Sequence, residues 1–408
     1  MVFVDPRAPV LLLTLLVTSS ALAGCVGKTE ATPSQSLAQQ MLAHPPGSGV
    51  APSGRTVDFQ LYLHRMAHEV YPGANMSMWG FGLTDDPSSA SVPGPELRVE
   101  EGDRVRVTFL GLVPGFNHTI HWHGLHVPWK QDGVPYVTQD PIEAGDEYTY
   151  DFIAEPSGTF WYHCHLDAQH HIDMGMYGAL IVEPRDKSQD PPFDREATLT
   201  LDEMDRFHLE SGQPVLGNGP QSGDPFDDAT YLQRQAQDIV GRNQAVQDKV
   251  TGTPARPARD WYPVTYAPYH VDLNTFIING HSFPSTDPVF IGDGGTLRLR
   301  FVNAGDQVHS MHLHGHHMLV THKDGVLLAA PFWADTLLIG PGERYDAYVR
   351  GDNPGIWELH DHINANVQND HIHPGGMMTM LVYDSYRDRA PQGHPHGAPL
   401  AGDYVDLG

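Results

Sequence analysis

A short segment rich in histidine and cysteine carries the residues of this sequence that are best suited to bind a metal ion. His163, Cys164 and His165 are consecutive, and Cys164 is one of only two cysteines in the chain. A further imidazole and a thioether follow at His171 and Met176. A thiolate, imidazoles and a weak axial thioether form the ligand set of a blue copper site. The segment therefore predicts a copper centre of this kind.

The element that must position these side chains is a β-strand. Phe160, Trp161 and Tyr162 precede them and are aromatic residues typical of a buried strand. Side chains alternate between the two faces of a strand. Cys164 is therefore expected to point to one side and the histidines next to it to the other, so that one short strand supplies ligands to two metal sites.

A second cluster repeats this arrangement earlier in the chain. His121 and His123 have the same parity on a strand, whereas His118 has the opposite parity. We therefore expect two sites. The ligands expected for the first site are His118, Cys164, His171 and Met176. The histidines expected for half of the second are His121, His123, His163 and His165.

The second half of the chain carries a matching set of histidines without a cysteine. Its two His-x-His pairs are His312 with His314 and His360 with His362. Asp361 stands at the position that corresponds to Cys164, and a carboxylate cannot form the strong thiolate bond of a blue site. This half is therefore expected to keep only a half-site of four imidazoles. The residues interpreted as remnants or packing residues are His309, His371, His373, Met377 and Met378.

Repetition also indicates the domain organisation. A pattern of strand, Gly-Asp turn and strand around Gly102 recurs around Gly292. Many short strands with turn signals favour Greek-key sandwiches or barrels, so we predict an all-β protein with two such domains. The predicted segments are a first domain at 56–185, a second at 186–384 with an insertion at about 210–265, and a polar tail with histidines at 385–408. The polar stretch 229–250 within the insertion is either a surface helix or a loop.

The N-terminus has the pattern of an export signal. Arg7 precedes an apolar run from Val10 to Val17 that is too short to span a bilayer. The run ends in Leu22-Ala23-Gly24-Cys25, which resembles a bacterial lipobox, where cleavage leaves a lipidated cysteine. Residues 1–25 are thus predicted to be a lipoprotein-type signal, with an ordinary secretory signal as the alternative, and 26–55 a flexible tether. Both alternatives export the protein, and lipid at Cys25 would hold it at a membrane surface.

Bulk composition narrows the class of protein further. The chain has 408 residues, enough for two or three domains, and 40% of them are hydrophobic, as in globular proteins. A net charge of −26 argues against nucleic acid or an anionic membrane surface as a partner. The metal-binding role expected for Cys164 leaves no second thiol for a disulfide.

The combined motifs resemble the multicopper oxidases, specifically two-domain members with blue copper in the first domain. The resemblance covers about residues 56–384 and includes the four His-x-His pairs. The other matching motifs are Asp132-Gly133-Val134-Pro135-Tyr136-Val137-Thr138-Gln139, Ser157-Gly158-Thr159-Phe160-Trp161-Tyr162, Asp335-Thr336 and Pro341-Gly342-Glu343-Arg344.

One loop departs from the pattern of laccases. His171 lies seven residues after Cys164, which is a longer loop, but the His-x-x-x-Gly-Met spacing from His171 to Met176 is the one found in copper nitrite reductases. The resemblance therefore favours His171 over His170, and Met176 over Met174, as ligands.

The resemblance implies cupredoxin domains and an oxidase with four coppers per chain. A reducing substrate would give single electrons to the blue, or type 1, copper, and a three-copper cluster would reduce dioxygen to water. The implied ligands of the cluster are His121 and His312 for type 2 copper and His123, His163, His165, His314, His360 and His362 for the type 3 pair. Asp132 matches the acidic residue beside the cluster and would assist proton delivery, although an Asp-Gly turn by itself also explains the pair of residues.

Two other functions remain as alternatives. A copper nitrite reductase has the same domain plan but needs only a mononuclear three-histidine centre, and a copper carrier would leave the blue site without a purpose. The reducing substrate stays open between phenols or amines, cuprous or manganous ions and a small redox protein. The resemblance also implies a homotrimer, in which the half-site of one chain meets that of the next.

Overall fold

The chain folds into four β-sheets, two in its first half and two in its second, in the computed structural model of the protein. The structure describes residues 50–111, 113, 117–204, 273–369 and 373–390. The expected signal peptide, most of the tether, the insertion with its candidate helix, most of the tail and His371 lie outside these residues. The predicted all-β fold class is confirmed.

Eight strands form the first sandwich and eleven form the second, counted over the described residues. The strands of the first are β1 Thr56–Tyr71, β2 Ala74–Gly82, β3 Gly94–Glu100, β4 Arg104–Gly111, β5 His121–His123, β6 Glu147–Ile153, β7 Gly158–His163 and β8 Tyr177–Glu183. Those of the second are β9 Arg195–Met204, β10 Thr275–Ile278, β11 Val289–Ile291, β12 Thr296–Asn303, β13 His309–Leu313, β14 Met318–Lys323, β15 Val326–Ala334, β16 Thr336–Ile339, β17 Arg344–Arg350, β18 Ile356–Asp361 and β19 Met378–Tyr383.

Helical structure is sparse in the described part of the chain. It comprises one α-helix, α1, at Ala168–Asp173, together with short 3-10 segments. The 3-10 segments are Pro87–Ser89, Trp129–Gln131, Lys187–Gln189, Asn364–Asn366 and Asp384–Arg389. None of the described helices has the length and apolar character needed to cross a bilayer.

The two sandwiches repeat the same strand pairings. The first has sheet orders β2-β1-β4-β6 and β3-β8-β7-β5, and the second has β10-β9-β12-β17-β14-β15 and β11-β19-β18-β13-β16. In both, the first strand pairs in parallel with the strand after the Gly-Asp turn, as β1 with β4 and β9 with β12. The internal repeat in the sequence is therefore a repeat of topology. The exact domain boundaries that we predict from the sequence remain predictions.

The strands show the alternation that the sequence indicates. In β4, Val105, Val107 and Phe109 are buried while Arg104 and Arg106 are exposed, because residues two apart lie on the same face of a strand. These side chains belong to an apolar cluster that fills the first sandwich. The cluster includes residues of the second sandwich, such as Met204 and Val302, so the apolar packing continues from one sandwich into the other.

A buried ionic cluster joins the sandwiches beside this apolar contact. Arg300, on β12, donates hydrogen bonds from one guanidinium nitrogen to Thr159 Oγ1 on β7, at 2.6 Å, and to Asp346 Oδ2, at 2.9 Å. Arg298 donates to Glu196 Oε2 at 2.6 Å, and both arginine side chains are almost completely buried. Although burial opposes it, the charges of Arg300 and Arg298 lower the pKa of Glu196 to about 2. Each buried charge at this contact between the sandwiches therefore has a partner of opposite sign.

We expect Arg300→Leu to lower the free energy of unfolding by about 3–5 kcal/mol, since removing one partner leaves buried carboxylates without a counter-charge. The matched control is Arg104→Leu, which breaks the ion pair with Asp151 on the protein surface and should leave the midpoint nearly unchanged. Denaturant unfolding of both variants measures the difference. Equal midpoints for the two variants would show that the buried cluster contributes nothing specific.

Candidate metal centres

The first candidate centre lies where β7 ends. Cys164 follows directly after that strand, is completely buried and is not in a disulfide. Its Sγ lies 3.0 Å from His171 Nδ1 and 3.9 Å from His118 Nδ1. The ligand atoms of these three residues all lie within 4.8 Å of one another. The sulfur and both imidazole nitrogens thus converge on one point inside the first sandwich.

The α1 helix determines which histidine reaches this point. His171 is in the convergent group, whereas His170 lies 3.5 Å from an Asp167 carboxylate oxygen and packs its ring on Trp79. The backbone then folds back on the cysteine, because Met176 accepts a hydrogen bond from the Cys164 amide at 3.1 Å. The geometry therefore brings His171 to the sulfur, in agreement with the residue favoured by the spacing.

Burial keeps these groups uncharged in the absence of a cation. It lowers the pKa of His118 to about 3 and lowers that of His171 as well. It raises the pKa of the Cys164 thiol to about 12. A metal ion bound here would displace the thiol proton and use the free imidazole lone pairs, as metal binding generally does. With buried Met176 beside it, the donor set fits copper, which combines thiolate, imidazole and thioether ligands.

Four histidines form a second cluster on the other side of the same strand end. His121 and His163 are directly opposite each other in the antiparallel pair of β5 and β7. The ring centroids are 5.3 Å apart for His121 and His163, 5.2 Å for His121 and His165, 5.7 Å for His121 and His123, and 6.0 Å for His163 and His165. Cys164 and the histidines next to it thus serve opposite sides, as strand alternation requires.

Hydrogen bonds orient these imidazoles. His121 Nδ1 donates to the Asp132 carbonyl oxygen and His163 Nδ1 to the Cys164 carbonyl oxygen, both at 2.8 Å. The Nε2 atoms are then available as ligands, which is the usual arrangement around metal-binding histidines. Burial lowers the pKa of His123 to about 3 and that of His163 also. His123 and His163 are therefore held neutral, with nitrogen lone pairs available to a metal ion.

Asp132 is attached to this cluster through both its backbone and its side chain. Its carboxylate Oδ1 lies 3.3 Å from His121 Nδ1, and the hydrogen bond with His121 lowers the pKa of Asp132. Gly133 follows with a φ of +77°, and a Cβ there would lie 1.8 Å from the Ile120 carbonyl oxygen. The turn therefore requires the glycine, while the aspartate side chain remains directed at the histidine.

The second sandwich contains the corresponding four-histidine cluster. His312 and His360 are opposite each other on β13 and β18, as His121 and His163 are in the first sandwich. The ring centroids are 4.9 Å apart for His312 and His314, 5.1 Å for His314 and His360, 5.8 Å for His360 and His362, and 5.5 Å for His312 and His362. Nδ1 of His312 donates to the Asp335 carbonyl oxygen, and Nδ1 of His360 to that of Asp361.

One acidic residue of this cluster was missed in the sequence. Glu358 lies two residues before His360 on β18, and its Oε2 is 3.7 Å from His314 Nε2. The three side chains have ligand atoms within 4.8 Å of one another. Strand parity alone could have identified Glu358, because residues two apart point to the same face.

The position equivalent to the cysteine pocket is occupied differently in the second sandwich. His309 is fully buried between two carboxylates, with Nδ1 2.8 Å from Asp361 Oδ2 and Nε2 2.9 Å from Glu203 Oε2. Although burial opposes it, hydrogen bonds to these carboxylates raise the pKa of His309 to about 9. His309 is therefore an ionic bridge and not merely a packing residue. Glu203 had no signal in the sequence that linked it to this pocket.

The other expected remnants have structural roles. Met377 and Met378 are buried in the hydrophobic core. His373 donates from Nδ1 to the Val367 carbonyl oxygen at 2.9 Å. Among the residues that the structure describes, the convergent ligand groups fall within one sandwich or the other, and none combines histidines of both four-histidine clusters.

Comparisons with known proteins identify the family of the chain. Two multicopper oxidase family models match residues 89–187 and 254–385. The solved blue copper oxidase from Nitrosomonas europaea is 33% identical, with coverage of 81% of this chain and 87% of that chain and a TM-score of 0.62. The multicopper oxidase mgLAC is also 33% identical, with coverage of 86% and 89% and a TM-score of 0.63.

Curated relatives are longer proteins. The multicopper oxidase MmcO of Mycobacterium tuberculosis is 28% identical over 336 residues, which are 82% of this chain and 59% of that protein. The chain spans less than two thirds of the length of the first curated relatives it matches. The two solved oxidases, by contrast, are matched over most of their length, and with the two family matches they show that the chain belongs to the multicopper oxidase family.

Proposed function

We propose that the protein oxidises a reducing substrate one electron at a time and reduces dioxygen to water. The observation that supports this most directly is the end of β7, where Cys164 enters one pocket while His163 and His165 enter another. Four bound coppers would supply the electron-accepting centre and the site where one dioxygen takes up four electrons and four protons. The chain supplies a covalent connection between the pockets, since each histidine is joined to Cys164 by one peptide bond.

The proposed ligands are those that the resemblance to the multicopper oxidases implies, and the clusters described above support them. Those of the type 1 copper are His118, Cys164, His171 and Met176; those of type 2 copper are His121 and His312; and those of the type 3 pair are His123, His163, His165, His314, His360 and His362. Asp132 would hold and release a proton at its carboxylate Oδ1, which lies 3.3 Å from His121 Nδ1. Phenols, amines, metal ions and a small redox protein all remain candidate substrates.

The working unit that we propose is a homotrimer. The four-histidine clusters of one chain are separate convergent groups, so each needs a partner from another chain. Both sandwiches also expose large apolar side chains, among them Trp129 and Tyr136 in the first and Trp333 and Leu338 in the second. Contact between these different surfaces is heterologous, and such contacts close only as a ring. Exposed apolar patches of this kind mark interaction sites.

Export and membrane attachment are further parts of the proposal. Residues 1–25 have the features of a lipoprotein signal, and the chain after Cys25 reads as a tether. Lipid on Cys25 would hold the enzyme at the outer face of a membrane, where both dioxygen and an external reductant reach it.

We expect Cys164→Ser to abolish the intense blue absorption, because that band requires a copper–thiolate bond. Dioxygen consumption with a generic electron donor should also cease. Asp361→Asn is the matched control at the equivalent position of the second sandwich and should remain blue. A Cys164→Ser protein that keeps its colour would overturn the type 1 assignment, and reoxidation of the wild-type centre by nitrite instead of dioxygen would select the reductase alternative.

Replacement of Asp132 by asparagine should slow dioxygen consumption by about 100-fold or more, the usual range for loss of a group that transfers protons. Copper content should stay normal, because the carbonyl that accepts from His121 is retained. Asp140→Asn, in an exposed part of the same loop, is the control. Oxygen uptake that is unchanged by Asp132→Asn across the acid-to-neutral range would remove Asp132 from the proton path.

Mixing two inactive variants tests the shared cluster. Chains with His163→Ala lack the first half-site, and chains with His360→Ala lack the second. Random trimers of the two should recover about a quarter of wild-type activity, because one boundary in four pairs two intact half-sites in a heterologous ring. Full activity in a monomer, measured by light scattering, or no recovery in verified mixed trimers would refute the arrangement.

A further inference from the structure

A ladder of methionine and histidine side chains lies on one face of the hairpin formed by β1 and β2. His68 is directly opposite Met76, and Met66 is directly opposite Met78. Directly opposite residues of an antiparallel pair have Cβ atoms about 4.5–5.5 Å apart. His68, Met76 and Met78 are buried. Imidazole and thioether groups are thus concentrated on a face that belongs to none of the centres described above.

A histidine of the second sandwich meets this face. His281 follows β10, and its ring centroid lies 4.9 Å from that of His68, with an angle of 39° between the rings. Gly280 allows the approach, since its φ is +81° and a Cβ there would lie 2.0 Å from the Val92 carbonyl oxygen. The two imidazoles therefore come from different sandwiches and meet at their junction.

The separation of the two rings is close to that of a histidine pair in the first candidate copper centre. The rings of His118 and His171, which face Cys164, are 5.0 Å apart, almost the separation of His68 and His281. His68 Nε2 donates to the Gly280 carbonyl oxygen at 2.6 Å, as the candidate ligands donate to backbone carbonyls. Such a bond fixes the ring and leaves the other nitrogen, here Nδ1, as a potential ligand.

His281, the other ring of the pair, has a buried nitrogen that makes no hydrogen bond within the described part of the chain. His281 Nδ1 is inaccessible to solvent and has no hydrogen-bond partner among the described residues. A buried polar atom without a partner is unfavourable, and a bound ion would satisfy this nitrogen. Burial also lowers the pKa of His68, which keeps that imidazole neutral.

We propose that His68, His281 and Met76 bind a monovalent copper ion at the junction of the two sandwiches, as a fifth copper site of the chain. Thioether and imidazole ligands together select soft Cu(I) over hard divalent cations. The site uses none of the residues assigned to the four oxidase coppers, so it stands or falls independently of the proposed activity.

The hairpin also connects this site to the type 1 pocket. Trp79 follows Met78 on β2, and its ring centroid lies 5.7 Å from that of His118 and 5.2 Å from that of His171. Its amide donates to the Met174 carbonyl oxygen at 2.7 Å. An ion bound at His68 and His281 would therefore lie on an element that packs directly against the ligands of the first candidate centre.

The test uses full-length protein already loaded with its oxidase coppers. Ag(I), a soft monovalent ion that the enzyme cannot oxidise, is titrated by calorimetry while the blue absorption is recorded. One equivalent should bind without loss of colour. Met76→Leu, which conserves side-chain volume, and His281→Gln should each weaken binding at least 10-fold. His64→Gln, on the same hairpin face with its Nε2 bonded to the Thr84 carbonyl oxygen, should have no effect.

X-ray absorption at the silver edge supplies the second measurement. Wild-type protein should show one sulfur neighbour, and Met76→Leu should lose it. No binding at one equivalent, binding that bleaches the blue colour, or equal affinity in wild type and Met76→Leu would each overturn the proposal. Thermal unfolding establishes that each variant is folded, and Met76→Leu decides the question if His281→Gln does not fold.

Discussion

The alternation of side chains at the end of β7 is the constraint on which the metal-binding architecture depends. Because successive residues of a strand point to opposite faces, Cys164 and the two histidines next to it cannot share a pocket. The three residues are nevertheless covalently continuous, so their pockets lie at a separation fixed by the backbone. A shift of one residue in the pairing of β5 with β7 would exchange the two faces. The pairing of His121 with His163 therefore defines both centres at once.

The two equivalent pockets differ in the charge of their buried side chains. In the first sandwich, burial raises the pKa of Cys164 and lowers those of His118 and His171. The three side chains are therefore neutral when no metal ion is bound. In the second, the carboxylates of Glu203 and Asp361 hold His309 as a cation, with its pKa raised to about 9. In the second pocket the positive charge is thus a proton on His309, whereas a bound cation would supply it in the first.

Short-range sequence patterns were sufficient to predict most residues of the candidate site. The strand around Phe160, the His-x-His pairs and the all-β class all follow from period-two alternation and turn residues, which are short-range signals. The spacing to Met176 favoured His171, and in the structure the α1 helix places that ring against the sulfur. The Glu203–His309 bridge could not be predicted, since the two residues are 106 positions apart and only the pairing of sheets brings them together. The meeting of His68 with His281 has the same origin.

The paired guanidinium cluster between the sandwiches bears on the assembly of chains. Arg298 and Arg300 are tied to carboxylates in a buried region where displacement would separate opposite charges. Such a joint resists rotation of one sandwich against the other. In the heterologous ring that we propose, the orientation of the two contact surfaces within each chain would set the angular step between successive chains, about 120° for three. Errors in that angle add up around the ring, and a loose joint would allow open filaments in which the terminal half-sites have no partner.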